Sequence, residues 1–393
     1  MSASPEAVYF AQITDAHVGP QGLNPVEAAA NLRWALEEIA ALSVPIEAII
    51  ATADLVSAGN RRELEAWAAI AAGSRVPIHA LPANHDRWGE QDDAAWLDLI
   101  GPMRSRVDLG PLTVLLWDEM VRVEDNSWPA RLAGEQREWL VQELIAWRDR
   151  PTIIAHHAPI LAVGDDYHDK WSGSNAAEAT ALFAQHGVLA AITGHWHRTG
   201  EWEVGGVRVV NTGALAGWQW NGIPPHYCFP TRPGYRLFCY ADGELRTVWR
   251  EGSFWQMPPP AIQATLEWVG PAHTGGPRPQ VRAPLVCGTV RLTAKAFALQ
   301  GAVESVEFSL RRGDWRAMQQ VFSGLWSEWE AEMSADDVRP GGPYPVAVRA
   351  RLGDRVAYDA VPVTATERDS APSWSAPALP GPDQLWELFY EPG

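Results

Sequence analysis

The chain has 393 residues, enough for two or three domains, and 47% of them are apolar, which allows sizeable cores. The formal net charge of −17 argues against long nucleic acid as a partner, because surfaces that follow a phosphate backbone need clustered basic side chains. No apolar run reaches the roughly 18 residues of a membrane span. Three cysteines without metal-ligand spacing and an N-terminus without an export signal favour a reduced, cytoplasmic protein.

Short apolar runs alternate with helical patterns from Val8 to about residue 253. The runs predicted as strands read VYFAQIT, IEAIIAT, VPIHALP, LTVLLWD, PTIIAHH, VLAAIT, VRVVNTG and YRLFCYA. Helices are predicted for NPVEAAANLRWALEEIAAL with Asn24 as N-cap, for residues 60–72, for GEQREWLVQELIAWRDR and for residues 175–186. This alternation indicates an α/β fold in which helices cover the faces of the sheets.

The pattern changes after residue 256. Three consecutive prolines, Pro258 to Pro260, predict a stiff linker, and the segments TVRLTAKA, VEFSL and VAVRARL then alternate apolar and polar residues. We therefore expect a catalytic domain over residues 1–256, a small all-β sandwich over 257–366 and an extended Pro-rich tail over 367–393.

Polar, metal-binding residue types follow five of the predicted strands. The first strand is followed by Asp15 and His17, and the others by Asp54, by Asn84 with His85 and Asp86, by His156 with His157, and by His195 with His197. In open α/β sheets, ligands bind at the carboxyl ends of the strands. The five strand ends therefore predict one shared site.

The composition of this predicted site indicates metal ions. Clustered buried carboxylates and imidazoles need a compensating cation. Mixed imidazole and carboxylate ligation suits Mn, Fe, Zn or Co better than Ca or Mg. Seven ligands exceed what one ion needs if it keeps a water, so we expect two ions with a bridging carboxylate.

The ordered motifs DAH, AD, ANHD, HHAP and GHWH resemble those of the calcineurin-like metallophosphoesterase family over residues 8–255. The resemblance implies a four-layer sandwich of two mixed sheets flanked by helices. It also implies one metal held by Asp15, His17 and His197, a second held by Asn84, His156 and His195, and Asp54 as the bridge. The residues after 257 also look like the immunoglobulin-like domain that some relatives carry.

Two positions depart from the family pattern. Ala53 precedes the bridging Asp54 and Ala83 precedes Asn84, where the family usually has glycine. The Cβ of alanine is tolerable at negative φ and costly at positive φ. Because no ligand is missing, we expect metal binding to be retained.

Further residues near the site receive specific roles. We expect Asp86 to orient His85, whose imidazolium stabilises the transition state or protonates the leaving oxygen. His157 is interpreted as a supporting residue beside the ligand His156. The long polar segment 164–175 offers His168 and Lys170 as substrate contacts, and Trp218 and Trp220 offer planar stacking surfaces.

The predicted function is hydrolysis of a small phosphodiester, of the cyclic nucleotide or glycerophosphodiester type, through in-line attack by a metal-bridging hydroxide. Phosphomonoesters and nucleotide pyrophosphates are alternative substrates for the same site. A non-catalytic scaffold is the alternative of another class, and a nuclease is disfavoured by the acidic charge balance. No membrane partner is expected, and the C-terminal sandwich is a candidate surface for homo-oligomers.

Overall fold

The computed structural model describes residues 7–19, 25–89, 93–122, 129–160, 175–197, 199–217, 232–252, 261–270, 285–286, 288–310, 313–338 and 344–365. The chain divides into two compact units, Met1–Pro259 and Pro260–Gly393. No helix among the described residues is both long enough and apolar enough to cross a bilayer.

The first unit contains the α/β part of the chain. Its strands are β1 (Val8–Ile13), β2 (Ile49–Thr52), β3 (Ile78–Leu81), β4 (Ser105–Leu109), β5 (Leu112–Leu116), β6 (Thr152–Ala155), β7 (Ala190–Thr193), β8 (Gly200–Val204), β9 (Val207–Asn211), β10 (Gly234–Ala241) and β11 (Glu244–Glu251). Its helices are α1 (Pro25–Ala40), α2 (Arg61–Ala71), α3 (Ala94–Leu99), α4 (Gly134–Ala146) and α5 (Ala176–Gln185).

These strands form two mixed sheets. One has the order β11-β10-β1-β2-β3 and the other the order β4-β5-β6-β7-β9-β8. The strands β1, β2 and β3 are parallel in the first sheet, and β5, β6, β7 and β9 are parallel in the second. The motif-bearing strands therefore all end at the carboxyl edge of a parallel group.

The two sheets share one apolar core. Phe10 and Ile50 of the first sheet pack in a cluster with Val114, Ile153 and Ile192 of the second, all fully buried. The opposite face of the second sheet carries a separate cluster with residues of α4 and α5, among them Leu140, Leu144 and Phe183. Alternate residues of a strand point to opposite faces, so the second sheet contributes side chains both to the core between the sheets and to the cluster on its helix side.

Helix α1 is tied to the outer face of the first sheet by a buried ion pair. Arg250 on β11 donates to Glu38 on α1 through Nε and Nη2, at 2.6 and 2.9 Å. The hydroxyl of Tyr235 on β10 donates to the same carboxylate at 2.8 Å. Helices thus lie outside both sheets, and the predicted α/β sandwich is confirmed.

Local signals explain where helix α2 begins. The side chain of Asn60 accepts a hydrogen bond from the backbone N–H of Glu63 at 3.1 Å, which makes it the N-cap. Such a cap contributes about 1 kcal/mol. The predicted N-cap of α1, Asn24, lies outside the described residues.

The second unit is composed of strands and one short 3₁₀ helix (Ala335–Asp337) among its described residues. The strands are β12 (Ile262–Gly270), β13 (Leu285–Val286), β14 (Thr289–Ala298), β15 (Ser305–Ser309), β16 (Trp315–Ala317), β17 (Gln319–Ser323), β18 (Trp326–Ser334), β19 (Tyr344–Leu352) and β20 (Arg355–Ala365). They form sheets of order β12-β14-β18-β17 and β13-β20-β19-β15-β16. Residues of both sheets, including Leu292 and Val348, pack in one core.

This second unit agrees with the predicted all-β fold. Its likeness to an immunoglobulin domain stays a prediction. The predicted Pro-rich tail lies outside the described residues.

Candidate metal centre

The loops that follow the parallel strands of the two sheets meet at one edge of the sandwich. The backbone N–H of His195, after β7, donates to Oδ2 of Asp15, after β1, at 3.0 Å. Backbone bonds from Leu215 to Thr14 and from Ala216 to Asp15 also cross between the sheets, at 2.8 and 3.1 Å. The loops meet because the parallel strands of both sheets have their carboxyl ends at this edge.

One group of side chains comprises Asp15, His17 and His197. The Nε2 atom of His197 lies 3.2 Å from Oδ1 of Asp15 and 3.1 Å from Nε2 of His17. Asp15 and His17 are buried. The three ligand atoms lie within 4.8 Å of one another.

A second group comprises Asp54, His157 and His195. The Nε2 atom of His157 lies 3.0 Å from Oδ2 of Asp54 and 3.2 Å from Nδ1 of His195. The Nδ1 atom of His157 donates to the backbone carbonyl of Thr52 at 2.8 Å. That bond directs Nε2 of His157 toward the carboxylate.

Asp54 lies between the two groups. Its Oδ2 atom is 3.8 Å from Nε2 of His17 and 4.0 Å from Nε2 of His85, in addition to its contact with His157. Asp54 thus also forms a third group, with His17 and His85, and its Oδ2 atom lies near an imidazole of each of the other two groups.

The spacing of the nitrogen atoms fits a bound transition metal. Two imidazole nitrogens that each lie ~2.1 Å from one ion are roughly 3.0–3.4 Å apart. The pairs His17–His197 and His157–His195 have separations of 3.1 and 3.2 Å. Facing lone pairs repel unless a proton or a cation lies between them, so each pair can share a proton in the ion-free site and could hold an ion in its place.

Electrostatics support the same conclusion. Burial alone would raise the pKa of Asp15, but the imidazoles of His197 and His157 outweigh it and lower that pKa to about 2. The pKa of Asp54 is also lowered well below its usual value, because His157 and other imidazoles outweigh burial. Burial and the nearby His157 lower the pKa of His195 to about 3. Burial would lower the pKa of His157, but Asp54 and Asp15 outweigh it and raise that pKa to about 10. Without an ion, a protonated His157 therefore balances the charged carboxylates, and a bound cation would take over that role and displace the proton.

The structure corrects the prediction for the adjacent histidines. His157, not His156, lies beside Asp54. The ring of His156 packs instead against Trp117 and Phe183, with centroids 5.8 and 6.3 Å away. Its Nδ1 atom donates to the carbonyl of Ala158 at 2.9 Å, and burial lowers its pKa to about 3.

Strand alternation is the physical reason for this correction. Ile153 and Ala155 of β6 face the core between the sheets, whereas Ile154 faces the helices. Continuing the alternation places His156 on the helix side and His157 on the side of the site. The prediction from the family motif gave His156 the ligand role and His157 the supporting role, the reverse of their positions in the structure.

Asn84 retains an unpartnered ligand atom. Its Oδ1 is buried and accepts no hydrogen bond from the described part of the chain. Buried polar atoms are normally paired, and an exception requires an explanation. An ion bound by this amide oxygen, in the loop after β3, would explain the exception.

The orientation of His85 differs from the prediction. Its Nδ1 atom donates to the backbone carbonyl of Ser57 at 2.7 Å, so Nε2 is directed toward the site. The carboxylate of Asp86 accepts instead from four backbone N–H groups at 2.8–3.2 Å, those of Asp54, Leu55, Val56 and Ala83. Asp86 thus fixes the loops after β2 and β3, and burial together with Asp54 raises its pKa to about 7. Orienting His85 falls to Ser57.

Two consecutive acids after β5 support the site, and the sequence reasoning missed both. Asp118 forms a buried two-point ion pair with Arg87, at 2.7 and 3.1 Å. Glu119 accepts from the backbone N–H groups of His157 and Ala158 at 2.9 and 2.7 Å, and burial raises its pKa to about 8. The pair therefore holds the loop of His85 and the loop of His157. Their position directly after a strand, as in the ligand motifs, was the available signal.

Backbone strain is concentrated in the ligand loops. The φ angles of Asp15, His17, Asp54, His195 and His197 lie between 46° and 66°. Ala53 has a φ of 70°, whereas Ala83 is not among the residues with positive φ. Strained backbone of this kind persists where the surrounding structure over-determines it, and it clusters at functional sites. Of the two alanines, Ala53 carries the conformational cost.

The remaining predicted contacts cannot be placed. His168, Lys170, Trp218 and Trp220 lie outside the described residues. Their substrate-binding roles stay predictions.

Residues 8–199 match the calcineurin-like phosphoesterase family. Among relatives, a glycerophosphodiester phosphodiesterase of Enterobacter lignolyticus is 24% identical over 160 residues, covering 38% of this chain and 56% of that protein. A 3′,5′-cyclic adenosine monophosphate phosphodiesterase of Pseudomonas aeruginosa is 24% identical over 251 residues, covering 62% of this chain and 90% of that protein.

The purple acid phosphatase PPD1 from yellow lupin is a solved structure with similarity to this chain. Its TM-score is 0.47 at 14% sequence identity, and the match covers 65% of this chain and 53% of that one.

Residues 8–199 thus resemble the calcineurin-like phosphoesterases in sequence. The Asp and His side chains gathered at the carboxyl edge are of the kinds that hold metal ions.

Proposed function

We propose that this protein hydrolyses small phosphodiesters at a centre that binds two divalent ions. The observation that carries the proposal is the position of Asp54, whose Oδ2 atom lies 3.0 Å from Nε2 of His157 and 3.8 Å from Nε2 of His17. These imidazoles belong to different ligand groups. One carboxylate between two groups is the arrangement that a two-metal site requires.

The proposed ligands divide between two positions. Asp15, His17 and His197 would hold the first ion, while His157, His195 and Asn84 would hold the second. Their nitrogen-rich, thiolate-free chemistry suits Mn, Fe, Zn or Co. When bound, such ions lower the pKa of a coordinated water and withdraw charge from phosphoryl oxygens.

The chain's own residues supply the remaining chemistry. His85 presents Nε2 toward the site, because its Nδ1 is bonded to Ser57. From there it donates a proton to the leaving oxygen or stabilises the charge that develops on the phosphoryl group. Asp86 and Glu119 keep the ligand loops in place through their bonds to backbone N–H groups.

The relatives favour a diester as substrate. Those described above are named as diesterases for glycerophosphodiesters and for 3′,5′-cyclic adenosine monophosphate. Both substrates are small and carry one phosphate between two ester oxygens. We therefore place phosphomonoesters and nucleotide pyrophosphates second.

Metal-stripped protein offered Mn, Fe, Zn or Co, followed by elemental analysis and a panel of phosphate esters, tests the proposal. We expect about two ions per chain and the highest kcat/KM for diesters. Asp54→Ala should lower activity by several orders of magnitude and reduce the metal content, while Asp98→Ala, at an exposed ion pair, serves as the control. Absence of bound metal would refute the two-metal centre. Full metal content without turnover of any ester would favour a non-catalytic scaffold.

A further inference from the structure

Trp88 is an exposed aromatic residue at the edge of the proposed site. The side chains just before it are buried, with relative exposures of 8% for His85, 2% for Asp86 and 5% for Arg87, whereas Trp88 is 46% exposed. Among the described residues, the other large aromatic side chain with such exposure, Tyr358, lies in the second unit. The loop after β3 therefore presents one large ring to solvent.

The ring of Trp88 lies against the ring of His85. Their centroids are 3.8 Å apart, with an interplanar angle of 45°. Nε2 of His85 is in turn 4.0 Å from the carboxylate of Asp54. Trp88 is thus separated from the bridging ligand by a single imidazole.

The backbone on both sides of Trp88 is held by close contacts. Arg87 is locked into its buried ion pair with Asp118, and its backbone N–H donates to the carbonyl of Asn84 at 3.2 Å. On the other side, a Cβ at Gly89 would lie 2.6 Å from the carbonyl oxygen of Ala58, so the backbone packs closely there. An aromatic surface held in this way loses little entropy when a planar group stacks on it.

On these grounds we propose that Trp88 is a specificity-determining residue that stacks on the nucleobase of the substrate, so that the substrate class is a nucleoside phosphodiester. This inference rests on the function proposed above. If His85 protonates the leaving oxygen, the leaving group must lie beside His85 and hence beside Trp88. In a cyclic nucleotide, that oxygen stays attached to the sugar that carries the base. A glycerol diester has no planar group to place there.

The net charge of the chain agrees with a small nucleotide rather than a polymer. The chain carries a net charge of −17. Recognition by stacking needs no basic surface, because every base has a π-face, and stacking on an aromatic side chain is worth about 1–3 kcal/mol. A single ring next to the reacting group is sufficient for one base.

The experiment compares Trp88→Ala and Trp88→Phe with the wild-type protein, each loaded with Mn. The substrates are 3′,5′-cyclic AMP and glycerophosphoethanolamine, which differ in the planar base. We expect Trp88→Ala to lower kcat/KM for the cyclic nucleotide roughly 5- to 150-fold, the equivalent of losing one stacking contact. The value for glycerophosphoethanolamine should change less than about twofold, and Trp88→Phe should recover most of the loss. Tyr358→Ala is the matched control for removal of an exposed ring, and a melting curve verifies folding.

A binding measurement separates this inference from the proposed function. Calorimetric titration of the Mn-loaded proteins with an adenosine 3′,5′-cyclic phosphorothioate requires no turnover, and Trp88→Ala should weaken this binding while leaving that of inorganic phosphate unchanged. Nucleotide binding that depends on Trp88, in a protein that hydrolyses no ester, would support the stacking role and refute the proposed function. Equal losses of kcat/KM for both substrates would overturn the stacking role and assign Trp88 to the support of His85. Equal affinity of the wild-type protein and Trp88→Ala for the phosphorothioate would also overturn the stacking role.

Discussion

The Nδ1 atom of His85 lies 2.7 Å from the carbonyl oxygen of Ser57. Because a carbonyl oxygen can only accept, Nδ1 carries the hydrogen, and Nε2 is left to act at the site. A backbone acceptor cannot be lost by substitution of the Ser57 side chain, so the orientation of His85 depends on the loop after β2. The same loop carries Asp54, which couples the position of the imidazole to that of the bridging ligand.

The first prediction concerns the role of His85. If it protonates the leaving oxygen, His85→Ala should lower kcat about 10²–10⁴-fold while the metal content stays unchanged. The loss should be largest for alkyl leaving groups and smallest for p-nitrophenolate, which hardly needs a proton. Steady-state kinetics over a series of leaving groups measures this. Equal losses across the series would instead indicate charge stabilisation, and a lost ion would make His85 a ligand.

The second prediction separates His157 from His156. His157→Ala removes a nitrogen that lies 3.0 Å from Asp54, so the protein should lose about one of its two ions and most of its activity. His156→Ala removes a ring packed against Trp117, so it should lower the free energy of unfolding but keep both ions. Elemental analysis after loading with Mn and desalting measures the first effect, and chemical denaturation the second. The reverse pattern of metal loss would restore the assignment made from the motif.

The third prediction uses the two alanines that replace family glycines. Both are buried, but φ is 70° at Ala53 and not positive at Ala83. Replacing alanine by glycine removes the cost of a left-handed conformation, which is about 1–2 kcal/mol for alanine. The same change loses a buried methyl group and adds entropy to the unfolded chain, and each of these destabilises by about 0.5–1 kcal/mol. Ala53→Gly should therefore be nearly neutral and Ala83→Gly should destabilise by about 1–2 kcal/mol. Urea denaturation of the metal-free proteins tests this. Equal destabilisation would show that Ala53 bears no strain.

The fourth prediction concerns the ion pair between Arg87 and Asp118. Both side chains are about 95% buried, so Asp118→Ala removes the two-point partner of a buried guanidinium. The carboxylate of Asp93, 42% exposed and 3.2 Å from Nε of Arg87, compensates that charge less well, so the variant should destabilise by about 3 kcal/mol. The apolar double variant Arg87→Met with Asp118→Leu should recover most of this loss. Its kcat should remain low, because the loop that carries His85 is no longer held to the loop after β5.

An exposed ion pair provides the control for this experiment. Arg61 and Asp98 are separated by 2.8 Å but are 46% and 62% exposed, so Asp98→Ala should cost less than about 1 kcal/mol. Denaturation curves and kcat of the variants are the measurements. A double variant with both stability and kcat restored would show that the pair has no positioning role.

The sequence by itself determined the architecture of the first unit and the location of its site. Apolar runs separated by helical patterns defined the α/β class, which the sheets built on β1, β2 and β3 and on β5, β6, β7 and β9 confirm. Residues placed directly after strands had to meet, because the carboxyl ends of parallel strands share an edge. Asp15, His17, Asp54, His195 and His197 could therefore be predicted to converge.

Only the tertiary structure decided which neighbouring side chain points into the site. The choice of His157 over His156 depends on which face of β6 lies against the other sheet, and strand alternation alone does not say which face that is. Likewise, the partners of His85 and Asp86 are backbone groups of the loop after β2, and backbone groups are the same in every sequence. Asp118 acquires its role only when the two sheets pack together, because its partner Arg87 follows β3 of the other sheet. Glu119 acquires its role from the loop after the neighbouring strand β6.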